Sequence, residues 1–188
     1  MTPFDVLRPR LLAEPKPPSR DFLETAVSVI LAPGPSGLEA LFIRRAERAG
    51  DPWSGHIGLP GGRREGADAG LLDTAIRETL EEIGVKLTRA SLLGALDDLE
   101  PTMPTKPPLL IRPFVFGLDA RPVIGTSDEV TDSYWIPLES LHAARGKATV
   151  SIKEKALEVP CFRVANLPEG LVIWGLTYRI IGGLLPRL

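Results

Sequence analysis

The sequence predicts a mixed α/β sandwich, and three observations predict it. Apolar, β-branched runs bounded by glycine and proline recur along the chain, as strands do. One long segment, 71–83, has apolar residues at helical spacing and stops at Gly84, and a second helical segment closes the sequence at Thr177–Leu185. The chain has 188 residues, a length suited to one domain with a substantial core, and it contains neither a repeat nor a low-complexity tract. We read 1–188 as a single domain with 1–22 as an N-terminal extension.

In order, residues 3–12 suit a short helix, ended by Pro15-Lys16-Pro17-Pro18. Thr25–Leu31 reads as a strand that turns at Gly34-Pro35-Ser36-Gly37 into a hairpin partner, Leu38–Arg44. A polar loop, Arg48–Gly58, leads to the turn Pro60-Gly61-Gly62 and the long helix. Leu92–Leu96 and Ile111–Leu118 read as strands joined by the proline-rich connection Pro101–Pro108, whose length suits a substrate-recognition loop. Ser133–Ile136 is another strand, followed by a helix near 138–145 opened by Pro137. Cys161–Val164 and Val172–Trp174 suggest a hairpin around Asn166–Gly170. The 19 prolines are scattered among apolar segments and so signal rigid loops and not disorder.

Charge and composition exclude several classes. A net charge of −2 and a pI near 5.8 leave no electrostatic footprint for nucleic acid. No apolar run is long enough to span a membrane, and the N-terminus has no signal-peptide core. The single Cys161 permits no internal disulfide, which suits a cytoplasmic protein; a small buried hydrophobe is its expected role.

The long helix carries the chemistry. Glu78 lies three residues before Glu81 and four before Glu82, so three carboxylates share one side. Like charges at those spacings cost a helix roughly 0.2–0.5 kcal/mol per pair, so helix formation alone does not explain them. A hard divalent cation does, because Mg²⁺ takes carboxylate and phosphate oxygens. Leu72, Ile76, Leu80 and Ile83, with Ala75 and Thr79 beside them, form the stripe expected to pack. Asp68 is placed to cap the helix start and Gly84 to terminate it.

These residues resemble the Nudix box, Gly-x5-Glu-x7-Arg-Glu-U-x-Glu-Glu-x-Gly-U, where U is aliphatic. Gly62 aligns with the first glycine, and Arg77, Glu78, Glu81, Glu82, Gly84 and Val85 match the later part. Thr79 stands where an aliphatic residue is usual, Asp68 stands at the first glutamate, and one extra residue separates it from Arg77. Glu65 competes with Asp68 for that ligand position. The resemblance implies a Nudix-type α/β/α sandwich with a mixed sheet. It also implies Mg²⁺ or Mn²⁺ held by Gly62, Glu78, Glu81, Glu82 and Asp68, and hydrolysis of a diphosphate bond.

Beyond the box, several segments are similar to the coenzyme A pyrophosphatase-type branch of that family. They are Phe42-Ile-Arg-Arg-Ala-Glu-Arg, Trp53-Ser-Gly-His-Ile-Gly-Leu-Pro-Gly-Gly, Leu93-Gly-Ala-Leu-Asp, Arg112-Pro-Phe-Val, Asp128-Glu-Val, Trp135-Ile-Pro-Leu and Ile173-Trp-Gly-Leu-Thr. The chain departs from the branch in one arginine-to-glycine spacing, in Asp51-Pro52-Trp53 and in Leu59, which replaces phenylalanine. The resemblance implies coenzyme A as leading substrate, cleaved to 3′,5′-ADP and 4′-phosphopantetheine. ADP-ribose, dinucleotides or altered nucleotides are the alternatives, and a non-catalytic nucleotide-binding module is a third reading. Relatives often dimerise, so a homodimer is a further expectation.

Arg77 is expected to orient Glu78 or Glu81, and the general base to be Glu78 or Glu129. Arg44, Arg45 and Arg48 suit phosphate, since guanidinium makes paired contacts with it. Trp53 either stacks on a base or packs its loop, and His56 either meets substrate or satisfies a backbone carbonyl. Trp174 is expected in the core.

Overall fold

The structure is a computed structural model, and it describes residues 2–13, 15, 22–51, 53–101, 107–152 and 155–188. Most of the expected proline stop after the first helix, Pro52 and the middle of the Pro101–Pro108 connection lie outside these residues.

The elements follow the expected order. They are α1 (Pro3–Leu7), β1 (Leu23–Gly34), β2 (Gly37–Arg45), β3 (Ile57–Gly58), β4 (Gly61–Arg63), α2 (Leu71–Ile83), β5 (Leu92–Ala95) and β6 (Leu109–Gly117). Then come β7 (Val130–Pro137), α3 (Leu138–Ala143), β8 (Arg145–Ile152), β9 (Lys155–Phe162), β10 (Ile173–Trp174) and α4 (Gly175–Leu184). β1 to β7 form one mixed sheet in which β1 runs parallel to β6, and β10-β9-β8 form a second, antiparallel sheet.

The placement of the site follows from how β1 and β2 diverge. They pair only near their turn, from Leu31↔Ala40 to Gly34↔Gly37. Beyond that, β3 pairs with β2 (Ile43↔Gly58, Arg44↔Ile57), and β4 pairs with β1 (Thr25↔Arg63, Ala26↔Gly62, Val27↔Gly61). Segment 57–63 thus fills the opening between the two strands, and the Ser28 N–H donates to the Pro60 carbonyl at 2.8 Å. The expected glycine turn is therefore a short strand entry, because the Gly61-Gly62 backbone is captured by the edge of β1.

Alternation along the central strands divides the core. Val29, Leu31, Ala40, Phe42, Ile111 and Val115 face α3 and α4; Ala26, Ile30, Leu41, Ile43, Phe114 and Phe116 face α2. This is the α/β/α sandwich the sequence predicts. Two details differ. Leu80 is 48% exposed, and α2 buries Leu71, Thr74, Ala75, Thr79, Glu82 and Ile83, so its packed face is rotated toward two threonines and a glutamate. The Thr79 and Ser28 hydroxyls bond to each other at 2.8 Å and both reach the Ala75 carbonyl, so a polar side chain sits satisfied at an aliphatic position.

The β8–β9 hairpin is absent from the sequence reading. β8 alternates polar with small or apolar residues, and most positions of both strands outside the end of β9 are exposed, so no apolar run announces the hairpin. Arg145 begins this hairpin, which ends the preceding helix at Ala143. Cys161 is buried there against Ala148, Val172 and Trp174, as a small hydrophobe. Among the described residues no helix is long and apolar enough to cross a membrane.

Candidate active site

α2 ends as its sequence demands: Gly84 takes a left-handed φ of 68°, and its N–H donates to the Leu80 carbonyl. Its start differs from expectation. Gly70 is the N-cap and contributes no side chain, while Asp68 folds back into the loop.

Arg77 is the hub of the site. Its Nε and Nη2 donate to the two Asp68 oxygens at 3.0 and 3.1 Å, and Nη2 also donates to the Arg63 carbonyl at 3.0 Å. Its Nη1 donates to Glu81 at 2.9 Å and lies 3.0 Å from Glu78, with Glu65 further off at 3.9 Å. The buried Asp68 also accepts from the Glu65 N–H and the Thr74 hydroxyl. The Arg77 fork, with these donors, holds the Asp68 carboxyl well below the usual carboxylate range, and Asp68 raises Arg77 in return. Both Asp68 oxygens are thus already engaged.

Glu82 is 4% exposed, and its Oε2 accepts the Gly61 N–H at 2.9 Å. Burial pushes its carboxyl up to about 7, with the nearby Glu78 and Glu129 charges adding to the effect. Burial also raises Glu78. A Cβ on Gly62 would lie 2.4 Å from the Glu78 carboxyl, so glycine there is what lets Glu78 approach the β4 backbone. Gly61 has φ of 151°, and a Cβ on it would sit 2.3 Å from the Ala26 carbonyl oxygen.

The loop after β6 brings Glu129 to the same place. The Gly125 and Ser127 N–H groups donate to the Ile83 and Glu82 carbonyls, satisfying the end of α2. Glu129 pairs with Arg48 at 3.4 Å, and its charge acts on both Glu78 and Glu82. Arg45 pairs with Asp51 at 3.0 Å, and its charge reaches Glu82. Arg44 turns away, to Glu47, Asp132 and the Gly55 carbonyl. Trp53 and His56 stand beside Arg45, with Trp174 behind them.

Among the described residues no three His, Cys, Asp or Glu side chains are grouped so as to hold a metal ion, because Arg77 draws Glu78 and Glu81 to itself. The donor chemistry nevertheless fits a hard divalent ion. Glu78 and Glu82 are oxygen donors whose charged forms are disfavoured by burial, a cost that a cation offsets.

The fold and this helix-borne acidic cluster define a Nudix hydrolase domain. The chain belongs to the Nudix family: the family profile, described as the NUDIX domain, matches residues 23–155. Members of that family are pyrophosphohydrolases acting on acid anhydrides. The chain is 42% identical over 147 residues to the uncharacterized protein C14C4.10c of Schizosaccharomyces pombe, covering 75% of this chain but 45% of that one. It therefore spans less than half of the yeast relative's length. It is 27% identical over 156 residues to the uncharacterized Nudix hydrolase NudL of Yersinia pestis, covering 82% of this chain and 73% of the relative. Among solved structures, a MutT/nudix family protein from Enterococcus faecalis superimposes with a TM-score of 0.60 at 17% identity, over 90% of this chain and 63% of that one. The NUDIX domain of Shewanella oneidensis NrtR, complexed with ADP ribose, gives 0.53 at 20% identity, over 66% and 78%. These likenesses establish the fold.

Proposed function

We propose that this chain hydrolyses the diphosphate bond of a nucleoside diphosphate derivative with the help of Mg²⁺ or Mn²⁺. The observation that carries the reading is the buried Glu82, tied to the Gly61 N–H, on which the Glu78 and Glu129 charges both act. Glu78, Glu81, Glu82 and the Gly62 carbonyl are the groups that would hold the ion. A bound divalent ion supplies neutralisation of the diphosphate charge and a lowered pKa for water.

The chain's own residues do the rest. Arg77 holds Glu78 and Glu81 in place, and Asp68 orients Arg77 instead of serving as a ligand itself. Arg45, whose charge reaches Glu82, and Arg48, which pairs with Glu129, suit the phosphates, whereas Arg44 pairs with Glu47 and Asp132. Glu129 is the better placed general base, because it is half exposed and only weakly held by Arg48. It takes a proton from water as that oxygen bonds to one phosphorus, and the bridging oxygen leaves with the other phosphate.

Coenzyme A is the leading substrate on the branch resemblance, giving 3′,5′-ADP and 4′-phosphopantetheine. ADP-ribose is the second reading, because the NrtR domain that shares this fold is complexed with it. A hydrolysis screen with product identification, with Mg²⁺ and with Mn²⁺, tests both. The substrates are coenzyme A, ADP-ribose, NADH, diadenosine polyphosphates and oxidised nucleotides. Release of 3′,5′-ADP from coenzyme A is expected, and Glu82→Gln is expected to abolish it in a folded protein. Full activity of that variant would sink the reading, and metal-dependent binding with no turnover would leave a binding module.

A further inference from the structure

Three aromatic rings gather at the turn before β3, from two different parts of the chain. Trp53 lies in the turn before β3, His56 directly precedes β3, and Trp174 is on β10. Ring centroids of Trp53 and Trp174 are 5.7 Å apart, tilted by 42°, and those of His56 and Trp174 are 5.0 Å apart, edge to face. Trp174 is 9% exposed and Trp53 is 44% exposed, so a buried ring backs one that faces solvent. An exposed tryptophan held by other rings is a flat stacking surface.

The second observation concerns polar atoms. His56 Nδ1 and Arg45 Nε are both buried and both lack a hydrogen-bond partner. They belong to neighbouring segments: the Arg45 N–H donates to the His56 carbonyl at 3.0 Å, and the Gly55 N–H donates to the Arg45 carbonyl at 3.1 Å. Unsatisfied buried polar groups are uncommon in native proteins and call for a partner. Of the two, the His56 ring lies 5.0 Å from Trp174 and 6.4 Å from Trp53.

The third is position. His56 is five residues from Gly61, whose N–H binds Glu82, so extended chain separates them by at most about 17 Å. The cations Arg45 and Arg48 stand with this turn and face the carboxylates. Arg45 links the two groups, since its backbone is bonded to that of His56 and its charge reaches Glu82.

We propose that Trp53, backed by Trp174, is the stacking surface for the planar base of the substrate, and that the unpartnered His56 Nδ1 beside it meets the polar edge of the bound nucleoside. The backbone of the turn is pinned, with the Trp53 N–H donating to Asp51 at 2.9 Å and the Ser54 N–H to the Asp51 carbonyl. Trp174, which the sequence assigns to the core, acts as a positioning residue for Trp53. The proposal rests on the reading of the chain as a nucleoside diphosphate hydrolase.

The test compares substrates with and without a base, using the full chain with Mg²⁺. One is ADP-ribose or coenzyme A, whichever is turned over; the other is a dialkyl diphosphate, which has the linkage but no base. Trp53→Ala is expected to lower the ratio of their kcat/KM values about tenfold, through KM, and Trp53→Phe to restore most of it. In parallel, AMP is expected to quench tryptophan fluorescence saturably in the wild type but not in Trp53→Ala, and ribose 5-phosphate to have no such effect. An unchanged ratio together with no saturable effect of AMP overturns the subsite, while hydrolysis by the wild type leaves the catalytic reading standing. Conversely, Trp53-dependent AMP binding in a protein that cleaves none of the diphosphates supports the subsite and removes the hydrolase.

Discussion

Arg77 grips Asp68 through two parallel hydrogen bonds, Nε to Oδ1 and Nη2 to Oδ2, across a separation of nine residues. The same guanidinium reaches Glu78 and Glu81 with its remaining nitrogen, so the loop before α2 and the acidic face of α2 share one cation. The fork gives Arg77 a fixed plane, and that plane fixes where the glutamates lie.

Removing one partner of this pair should be expensive. Asp68→Ala leaves Arg77 without its main acceptor, and a loss of roughly 3 kcal/mol is expected from urea unfolding. Because Asp68 is held below its ordinary value of 3.8, its contribution is complete above that pH and disappears as pH falls through the folded value. Acid unfolding of wild type and Asp68→Asn should therefore converge below pH 3.8. Curves that coincide at every pH would show that the fork adds nothing.

Gly61 and Gly62 should fail differently when changed to alanine. At Gly61 the new methyl meets the β1 backbone in a left-handed conformation, so a loss of at least about 2 kcal/mol of stability is expected. At Gly62 it meets only the movable carboxyl end of Glu78. The protein should stay folded there but lose at least about tenfold in kcat, a displaced group of this kind costing up to about a hundredfold. Melting curves and steady-state rates on the two variants separate these outcomes.

Glu129→Gln keeps the size of the side chain and removes its basicity. Should Glu129 take the proton, kcat falls about a hundredfold with KM little changed. An unaltered kcat would pass the role to Glu78.

His56 provides a stability signature of its own. Burial lowers its pKa from 6.5, so the folded protein prefers the neutral ring. The stability this confers is present above pH 6.5 and is lost as pH falls through the lowered value, where the unfolded chain takes up the proton more readily. Glu82, raised to about 7, contributes the opposite slope in the same window, so melting temperature from pH 5 to 8 should fall more steeply with rising pH in His56→Phe than in the wild type.

Much of this was legible in the sequence because the signals are local. Helical spacing from Leu71 to Ile83, the terminal Gly84 and the runs of β1, β2 and β6 announce themselves within a few residues. Non-local relationships were not legible. Nothing near Asp68 shows that its carboxylate belongs to Arg77, and nothing near Thr79 shows that Ser28 waits across the sheet to bond it. The spacing of Leu80 predicts burial, but α2 rests on the sheet about one position further round. Nothing near Trp174 in the sequence shows that β10 lies beside Trp53 and His56.

The divergence of β1 from β2 makes the segment carrying Gly61 and Gly62 a keystone as well as a workplace. Two central strands of the main sheet are joined to each other along half their length only through residues 57–63. A ligand that tightens this segment must therefore slow the opening of amides deep in β1 and β2, far from any atom it touches. Occupancy of the pocket and integrity of the sheet are, in this molecule, one equilibrium.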